Sequence, residues 1–476
     1  MRPSFDFDLP SSILFGGSAL AALYHQRRQK KPLDRPSKSL DLVRYLSDDS
    51  NHSRAWESYH DEDELFVQGF PKIELHVHLD GTFDPDFLFR YMQEHPDSIY
   101  CLPVASDLPW EPGRKLPVRA MVQECETSRD YHQLCTCRGY RSLKAMLNCF
   151  EIFLPLVRGN LELMEQLAFD FCQRQWEQHC VYSEVRYSPH LLAEGFEIGN
   201  DGKTTNESGP ERVFQAVTKG LRRGCKQFDI TVNQILCGIA WRPEWAMSTL
   251  DLAKKYRNDF PCAAVGVDIA AGEEHFDEKN FPHLYQPHFD MIQEAKKCNV
   301  PITLHAGEST DLAQENVRQA ILKYGASRIG HGYRMVESPE LMKLVKDSQC
   351  HVEVCPTSSD ETGGWQYEEK DWSRHPCVTM LDHGVSLSLS SDDPAVFHTS
   401  LAWQYRTGLA KIGLTRQDII QSNLDAIDAA FCPEEQKVAL RERVKEYARK
   451  NPRHPYRHSI SDNFADRVYL SAKQYV

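Results

Sequence analysis

Two histidines one residue apart, His76 and His78, are the first feature of this chain that could do chemistry. They end the run Lys-Ile-Glu-Leu-His-Val-His. In a β-strand, residues two apart point to the same side, so both imidazoles would face one way and Val77 the other. Two neutral imidazoles at this spacing form half of a site for zinc or a similar divalent metal. The alternative is a pair of histidines with ordinary hydrogen bonds, and the motif alone does not decide between the two.

Further histidines and carboxylates follow other apolar runs. His305 and Glu308 lie in Leu-His-Ala-Gly-Glu, His331 lies in Gly-His-Gly, and the pair Asp392-Asp393 precedes a proline. Singly, each is more typical of a hydrogen-bonded structural residue, a turn or a helix cap. Together with His76 and His78, these residues mean that four of the apolar runs are followed by histidine or a carboxylate. In a parallel α/β barrel, the carboxyl ends of the strands form the face on which active sites are built.

These residues can be assembled into one metal site. Three imidazoles and one carboxylate would hold a zinc ion and leave a position for water: His76, His78, His305 and Asp392. Zinc would lower the pKa of that water towards neutrality. Glu308 could then carry a proton, and His331 could act as a base or as a positive charge beside a developing alkoxide. The fourth apolar run carries no lysine that could bridge two metals, so we expect one zinc ion per chain.

Eight short runs rich in Val and Ile predict the strands that position this site. They are Lys72–His78, Cys180–Tyr187, Thr231–Cys237, Ala263–Ile269, Ile302–His305, Arg328–Ile329, His351–Cys355 and Val385–Ser390. Segments with helical spacing, such as Glu211–Phe228 and Ala246–Tyr256, separate most of them. This alternation predicts parallel strands covered by helices. The count of eight, and the lack of a glycine-rich phosphate loop after the first run, favour a (β/α)8 barrel over an open doubly wound sheet.

The domain organisation follows from changes in composition. Residues 1–69 are polar and rich in Ser, Asp and Lys clusters, so we expect a mobile or loosely packed extension with one helix near Ser39–Leu46. Residues 70–476 are predicted to form a single barrel domain. Residues 85–178 are long for a first βα connection, and they include an irregular Pro-rich piece, Leu102–Pro117. We interpret them as a lid-like insertion, and Leu401–Tyr447 as terminal helices.

Composition limits the function classes. The chain has 476 residues and a net charge of −13, which argues against nucleic acid or an anionic membrane as a partner. The apolar run Ile13–Leu23 is too short to span a membrane stably, and acidic rather than basic residues precede it, unlike a secretory signal. The 15 cysteines are scattered, as in proteins with reduced thiols. We expect a cytoplasmic enzyme with a small-molecule substrate; the sequence leaves its protein partners unknown.

Five motifs in order resemble the adenosine deaminase family of the amidohydrolase superfamily. The similarity covers roughly Pro71 to Pro433, and the motifs are Glu74–Gly81, Glu184–His190, Leu304–Glu308, Gly330–Tyr333 and Ser391–Pro394. The resemblance implies a zinc-dependent hydrolysis of adenosine, and of 2′-deoxyadenosine, to the inosine product and ammonia. It also implies that the positions matching His76, His78, His305 and Asp392 bind the zinc.

The resemblance further assigns roles around the substrate. Glu308 would donate a proton to N1 of the purine, and His331 would orient or activate the hydroxide that attacks C6. Asp393 would hydrogen-bond N7, Asp80 would contact the ribose hydroxyls, and His78 would also lie against the substrate. Four apolar residues resemble a lid over the purine, although they could equally form a plain helix face: Leu143, Met146, Leu147 and Phe150.

One motif departs from the family pattern. The glycine that offers its N–H to purine N3 usually follows an aspartate by three residues, but here the run Asp268-Ile-Ala-Ala-Gly is one residue longer. Gly272 or Ala271 could take that role. Among substrates, we predict adenosine over AMP or an N6-substituted adenine nucleotide, because the Asp80 carboxylate would repel a 5′-phosphate. A secreted, growth-factor-like deaminase that acts through receptor binding is the alternative of another class.

Overall fold

Eight parallel strands form a closed barrel in the computed structural model, which describes residues 61–101, 115–125, 127–193, 209–308 and 312–450. In chain order, β1 to β8 are Lys72–His78, Cys180–Tyr187, Thr231–Ile239, Ala264–Ala270, Thr303–Ala306, Arg328–His331, His351–Val354 and Leu387–Leu389. β1 to β4 pair in sequence, as do β5 to β8. Parallel bridges from Val77 to Asp392 and from Val267 to Ile302 join the two sheets. The predicted (β/α)8 barrel is therefore confirmed.

Helices follow most of the strands and pack against the barrel. The helix from Ala246 to Tyr256 has the bounds that its apolar spacing predicts. The helices are Asp61–Gly69, Pro85–Glu94, Arg119–Glu124, Ser128–Cys135, Leu143–Val157, Leu161–Glu177, Pro189–Leu192, Gly209–Phe228, Ala246–Tyr256, Pro282–Lys297, Ala313–Leu322, Pro339–Asp347, Pro356–Glu361, Pro376–Asp382, Pro394–Phe397, Leu401–Thr407, Arg416–Ala429 and Glu434–Lys450. Of the helices in the described residues, none is both long and apolar enough to cross a membrane.

The amino-terminal boundary differs from the prediction. Residues 1–60 of the expected extension, including the helix predicted near Ser39–Leu46, lie outside the described residues. The last nine residues of that segment, however, form the helix Asp61–Gly69, and its Phe66 and Val67 are fully buried. The carboxylate of Glu64 also pairs with Arg406, with 2.6 Å between Oε1 and Nη2. Apolar burial and this ion pair attach the helix to the barrel, so the prediction of a loosely packed segment was wrong for residues 61–69.

The insertion after β1 divides into two parts. Most of its Pro-rich piece lies outside the described residues, and Lys115–Pro117 forms a short hairpin with Ile99–Cys101. The helix Leu161–Glu177 packs against the helix Gly209–Phe228 on the barrel wall. A side chain at Gly220 would lie 2.1 Å from the backbone oxygen of Glu165, so glycine permits this close contact. Residues 161–177 therefore pack on the barrel wall, and the prediction of a lid concerns the residues before them.

Candidate active site

The four predicted metal ligands lie together at the carboxyl ends of β1, β5 and β8. One ligand atom from each of His76, His78, His305 and Asp392 lies within 4.8 Å of the others. The Nε2 atoms of His78 and His305 are 3.2 Å apart, and the Oδ1 atom of Asp392 lies 3.5 Å from Nε2 of His78. Strand alternation accounts for the pair on β1, and the bridge between β1 and β8 brings Asp392 beside them.

The donor set fits a divalent cation. Nδ1 of His76 lies 2.8 Å from the Glu353 carboxylate, which places the proton on Nδ1 and turns the lone pair of Nε2 towards the site. Nε2 is buried and makes no hydrogen bond within the described part of the chain, and its nearest partner is Oδ1 of Asp392 at 3.1 Å. Two lone pairs at that distance repel unless a cation lies between them. A metal ion would serve all four ligand atoms at once, and three imidazoles with one carboxylate suit zinc.

A buried ion-pair network stands behind the ligands. The Arg186 guanidinium donates to Oδ2 of Asp268 at 2.8 Å and to Oε2 of Glu353 at 2.6 Å. Asp268 in turn lies 2.9 Å from Nδ1 of His305, and Glu353 holds His76. All three network members are fully buried. One arginine thus fixes the two carboxylates that lie against two of the ligands.

A second arginine extends the network across the barrel. Arg328, on β6, donates from Nε to Oε1 of Glu353 at 2.7 Å and also pairs with Glu184 of β2. Thr303 donates to the same Glu353 oxygen at 3.0 Å. Burial acts to raise the pKa of Glu353, but the guanidiniums of Arg186 and Arg328 hold it well below its ordinary value. We name these five charged residues the ion-pair network: Arg186, Arg328, Glu353, Asp268 and Glu184.

His331, at the end of β6, is oriented by a tyrosine. The Tyr333 hydroxyl lies between the backbone oxygen and N–H of Cys355, at 3.0 and 3.1 Å, and 3.0 Å from Nδ1 of His331. Because the single hydroxyl proton goes to the carbonyl, Nδ1 must donate, and Nε2 keeps its lone pair. Burial holds the pKa of His331 well below its ordinary value. A neutral imidazole with a free Nε2 is a base.

Backbone strain coincides with this site. His331 has a φ of 73° and Asp392 a φ of 62°, a left-handed conformation that non-glycine residues rarely adopt. His331 is the last residue of β6, and Asp392 lies three residues after β8 in an isolated bridge to Val77. Such strain persists where the surrounding structure enforces it, and it concentrates at functional positions.

Glu308 faces His331 across the cavity. Its Oε2 lies 3.9 Å from Nε2 of His331, and the side chain is 5% exposed. Burial, followed by the charges of Asp392, Glu273 and Glu274, raises the pKa of Glu308 well above its ordinary value. A carboxyl whose pKa is raised in this way keeps its proton to higher pH than an ordinary glutamate, which suits a proton donor.

Two more carboxylates lie beside the ligands. Asp80 and Asp393 are buried, and one oxygen of each lacks a hydrogen-bond partner in the described part of the protein. Burial raises the pKa of Asp80 to about 7, and burial together with Asp392 and Asp80 raises the pKa of Asp393. A Cβ at Gly81 would lie 1.9 Å from Oδ1 of Asp393, so only glycine leaves room for that carboxylate. Unpaired acceptors of this kind are suited to ligand N–H and O–H donors.

The predicted lid residues and the N3-contact candidates line the same cavity. Leu143, Met146, Leu147 and Phe150 lie along one face of the helix Leu143–Val157 and close a cavity of about 140 Å³ over the ligands. Ala271 and Gly272 line it from the end of β4, both with positive φ, at 62° and 87°. Both stay candidates for the N3 contact. Of the described residues around the cavity, none is lysine or arginine.

Sequence reasoning missed the ion-pair network. Glu184, Arg186 and Glu353 sit inside strands that are buried along their whole length, and their charge there was the available indication of their role. A charged residue inside a buried strand needs a partner, because burial of an unpaired charge is too costly. The alternation Glu184-Val-Arg186 places both charges on one face of β2, towards the barrel interior.

Comparison with known proteins agrees with this geometry. The family model described as "Adenosine deaminase" matches residues 113–447. The adenosine deaminase of Xenopus tropicalis is 31% identical over 371 residues, which cover 78% of this chain and 93% of that protein.

Two solved structures have a similar fold. One is an amidohydrolase from Burkholderia ambifaria with bound zinc, with a TM-score of 0.61 and 19% identity over 86% of this chain and 96% of that one. The other is the Arabidopsis N6-mAMP deaminase, with a TM-score of 0.61 and 22% identity over 80% of this chain and 99% of that one. At these identities, the two structures bear on the fold alone. The family match and the similarity to the Xenopus protein show that this chain belongs to the adenosine deaminase family.

Proposed function

We propose that this protein is a zinc-dependent adenosine deaminase, which hydrolyses adenosine and 2′-deoxyadenosine to the inosine product and ammonia. The observation that carries the proposal is the placement of the Glu308 carboxyl and the His331 imidazole, 3.9 Å apart, on one cavity with a metal-ligand set. Deamination of a purine at C6 requires a proton donor for the ring nitrogen and a base for the attacking water. Family membership supports the same reaction.

Each residue has a defined task in this reaction. A zinc ion held by the four ligands would lower the pKa of water at the site, with one ion per chain. Glu308 protonates N1, which makes C6 electrophilic, and Nε2 of His331 takes the proton of the attacking water. The C6–N6 bond then breaks, and the proton taken up by His331 leaves with the amino group as ammonia. The proton that remains on the C6 hydroxyl returns to Glu308 as the C6=O bond forms, which restores both residues. Asp393 and Asp80 offer acceptors to the purine N7 region and the ribose hydroxyls, respectively.

The cavity favours a nucleoside over a nucleotide. A 5′-phosphate in a buried site requires cationic partners. Among the described residues that line this cavity, carboxylates are frequent, and lysine and arginine do not occur. Asp80, with a pKa of about 7, offers the phosphate no positive charge, and its ionised form would repel it. AMP and N6-substituted adenine nucleotides are therefore the second candidates, and adenosine is the first.

A substrate comparison tests this choice. Purified protein would be assayed with adenosine, 2′-deoxyadenosine and AMP, by the change in purine ultraviolet absorbance and by ammonia release. We expect kcat/KM for AMP to be at least about 100-fold below that for adenosine, a difference of roughly 3 kcal/mol. Comparable turnover of AMP would contradict the choice of nucleoside.

A single substitution tests the role of Glu308. Glu308→Gln keeps the size of the side chain but cannot release a proton, so kcat should fall by about 100- to 10,000-fold. The zinc content, measured by elemental analysis, should stay at one ion per chain. Near-normal turnover in this variant would remove Glu308 from the mechanism.

We also propose that the enzyme works in the cytoplasm. In the described residues, the cysteines are free thiols, and nearly all are buried. This is typical of proteins from a reducing compartment. Subcellular fractionation with a compartment marker tests the assignment, and recovery of the enzyme from the secretory fraction would oppose it.

A further inference from the structure

A buried carboxylate outside the catalytic set holds the backbone that carries Glu308. Glu273 follows β4 and is 6% exposed. Its Oε2 accepts a hydrogen bond from the N–H of Gly307 at 2.7 Å, and its Oε1 accepts one from the N–H of Glu308 at 2.9 Å. The Asn316 amide, on the helix Ala313–Leu322, donates to Oε2 at 3.3 Å. One side chain therefore ties the ends of β4 and β5 to a helix.

The turn after β4 aims Glu273 at that backbone. Ala271 and Gly272 both adopt left-handed φ values, 62° and 87°, which reverse the chain immediately before Glu273. A Cβ at Gly272 would lie 2.8 Å from Nδ1 of His275, so a residue other than glycine would crowd this turn. The segment that departs from the family pattern is thus the one that positions the carboxylate.

Local backbone preferences do not fix the direction of Glu308. The preceding residue, Gly307, has a φ of 79°, and glycine has the widest conformational freedom of any residue. A stiffer residue does not fit there, because a Cβ would lie 2.6 Å from Cγ2 of Val317. The orientation of Glu308 must therefore come from contacts, and the two charge-assisted hydrogen bonds to Glu273 are the contacts that the structure supplies.

We propose that Glu273 is a positioning residue, which clamps the Gly307 and Glu308 N–H groups so that the Glu308 carboxyl meets N1 of the substrate. The catalytic part of this inference rests on the proposed function, and the clamp itself does not. A proton donor displaced by about 1 Å can lose roughly 100-fold in rate. The clamp therefore has a measurable effect on catalysis without touching the substrate.

The test uses Glu273→Gln with Glu274→Gln as its matched control. Glutamine has the size of glutamate, but its NH2 group would face one of the two N–H donors and break that hydrogen bond. Glu274 also contributes negative charge near Glu308, but its carboxylate lies beside His275, at 3.7 Å. The control therefore separates the effect of charge from the effect of the clamp.

Hydrogen exchange measures the clamp directly, by mass spectrometry of peptides that contain the two amides. In Glu273→Gln, the Gly307 and Glu308 amides should exchange at least about tenfold faster than in the wild type, and in Glu274→Gln they should not. Unchanged exchange in Glu273→Gln would overturn the clamp. Because hydrogen exchange is measured without turnover, it tests whether Glu273 holds the two amides even if adenosine is not the substrate.

Kinetics measure the consequence in the zinc-loaded enzyme. In Glu273→Gln, kcat should fall by roughly 10- to 100-fold. The affinity for a 1-deaza analogue of adenosine, which has a C–H group in place of N1, should stay within about threefold, because that ligand cannot use the proton of Glu308. An equal loss of affinity for the analogue would indicate a general structural defect and overturn the positioning role. Normal kcat with accelerated exchange would also overturn it.

A milder variant covers the possibility that Glu273→Gln does not fold. Asn316→Ala removes the third donor to the carboxylate and leaves both backbone hydrogen bonds in place. It should shift exchange and kcat in the same direction, by a few-fold. No change in either quantity in Asn316→Ala, with Glu273→Gln unfolded, would overturn the proposal.

Discussion

The two walls of the cavity are positioned by different forces. The metal wall consists of the four ligands and the ion-pair network behind them, and charged groups at hydrogen-bond distance set its geometry. The lid wall consists of the four apolar residues on the helix Leu143–Val157, and dispersion and apolar burial hold it. Charge pairs are directional and apolar contacts are not. The first wall suits fixed chemistry, and the second suits a surface that opens and closes over a substrate.

Removal of one arginine should damage the metal wall most. Arg186→Met leaves Glu353 and Asp268 without their shared partner in a fully buried site. We expect the free energy of unfolding to fall by about 3–5 kcal/mol, because an uncompensated buried charge is costly. Zinc affinity should also fall about 10- to 100-fold, since His76 and His305 lose their orienting carboxylates. Urea unfolding and competition with a metal indicator measure the two effects.

The control for this variant is an exposed ion pair. Lys219→Met removes the partner of Glu165 at 2.7 Å, on a side chain that is 70% exposed. Such pairs contribute about 0–1 kcal/mol, and zinc binding should not change. If Arg186→Met behaved like Lys219→Met, the network would not be what positions the ligands.

Metal removal should affect stability as well as activity. Because the proposed zinc ion would bind the folded chain and not the unfolded one, saturation at about 1,000 times Kd would stabilise the fold by about 4 kcal/mol. A chelator should therefore abolish turnover and lower the unfolding temperature by on the order of 5 °C. Both should return when zinc is added back. An unchanged unfolding temperature after verified metal loss would show that the ligands are fixed without the ion.

These differences also explain what the sequence could predict. The ligands and the barrel were accessible because strand alternation and strand ends are periodic features, and a His-x-His pair carries its geometry with it. The ion-pair network behind the ligands could not be predicted in this way. Arg186 lies 167 residues from Glu353 in the sequence, and only the closed barrel brings the two together. The packed helix at residues 61–69 was missed for the same reason: its ion-pair partner, Arg406, lies 342 residues away. Contacts between residues far apart in the sequence leave no periodic pattern in a single sequence, so they could not be predicted from it.

A truncation on the lid wall should change binding rather than chemistry. Leu147→Ala removes apolar area from the cavity, and because Leu147 is half-buried we expect KM to rise about tenfold. The kcat and the zinc content should stay within about threefold of the wild type, since Leu147 is an apolar side chain that supplies neither a metal ligand nor a member of the ion-pair network. Lys144→Ala, an exposed position on the same helix, is the control. A drop in kcat without a change in KM would mean that the lid wall shapes the chemical step.

The smallest effect should come from the anchor of the lid helix. Just before the helix begins, the Arg141 guanidinium lies 3.8 Å from the centre of the Tyr367 ring and donates to the backbone oxygen of Trp365 at 2.8 Å. An exposed cation–π contact contributes about 0.5–1 kcal/mol, so Arg141→Ala should raise KM about two- to fivefold. Steady-state kinetics at saturating zinc measure the change. Because this anchor and Leu147 act through one helix, the double variant should raise KM by less than the product of the single effects. Full additivity would mean that the anchor does not hold the lid wall.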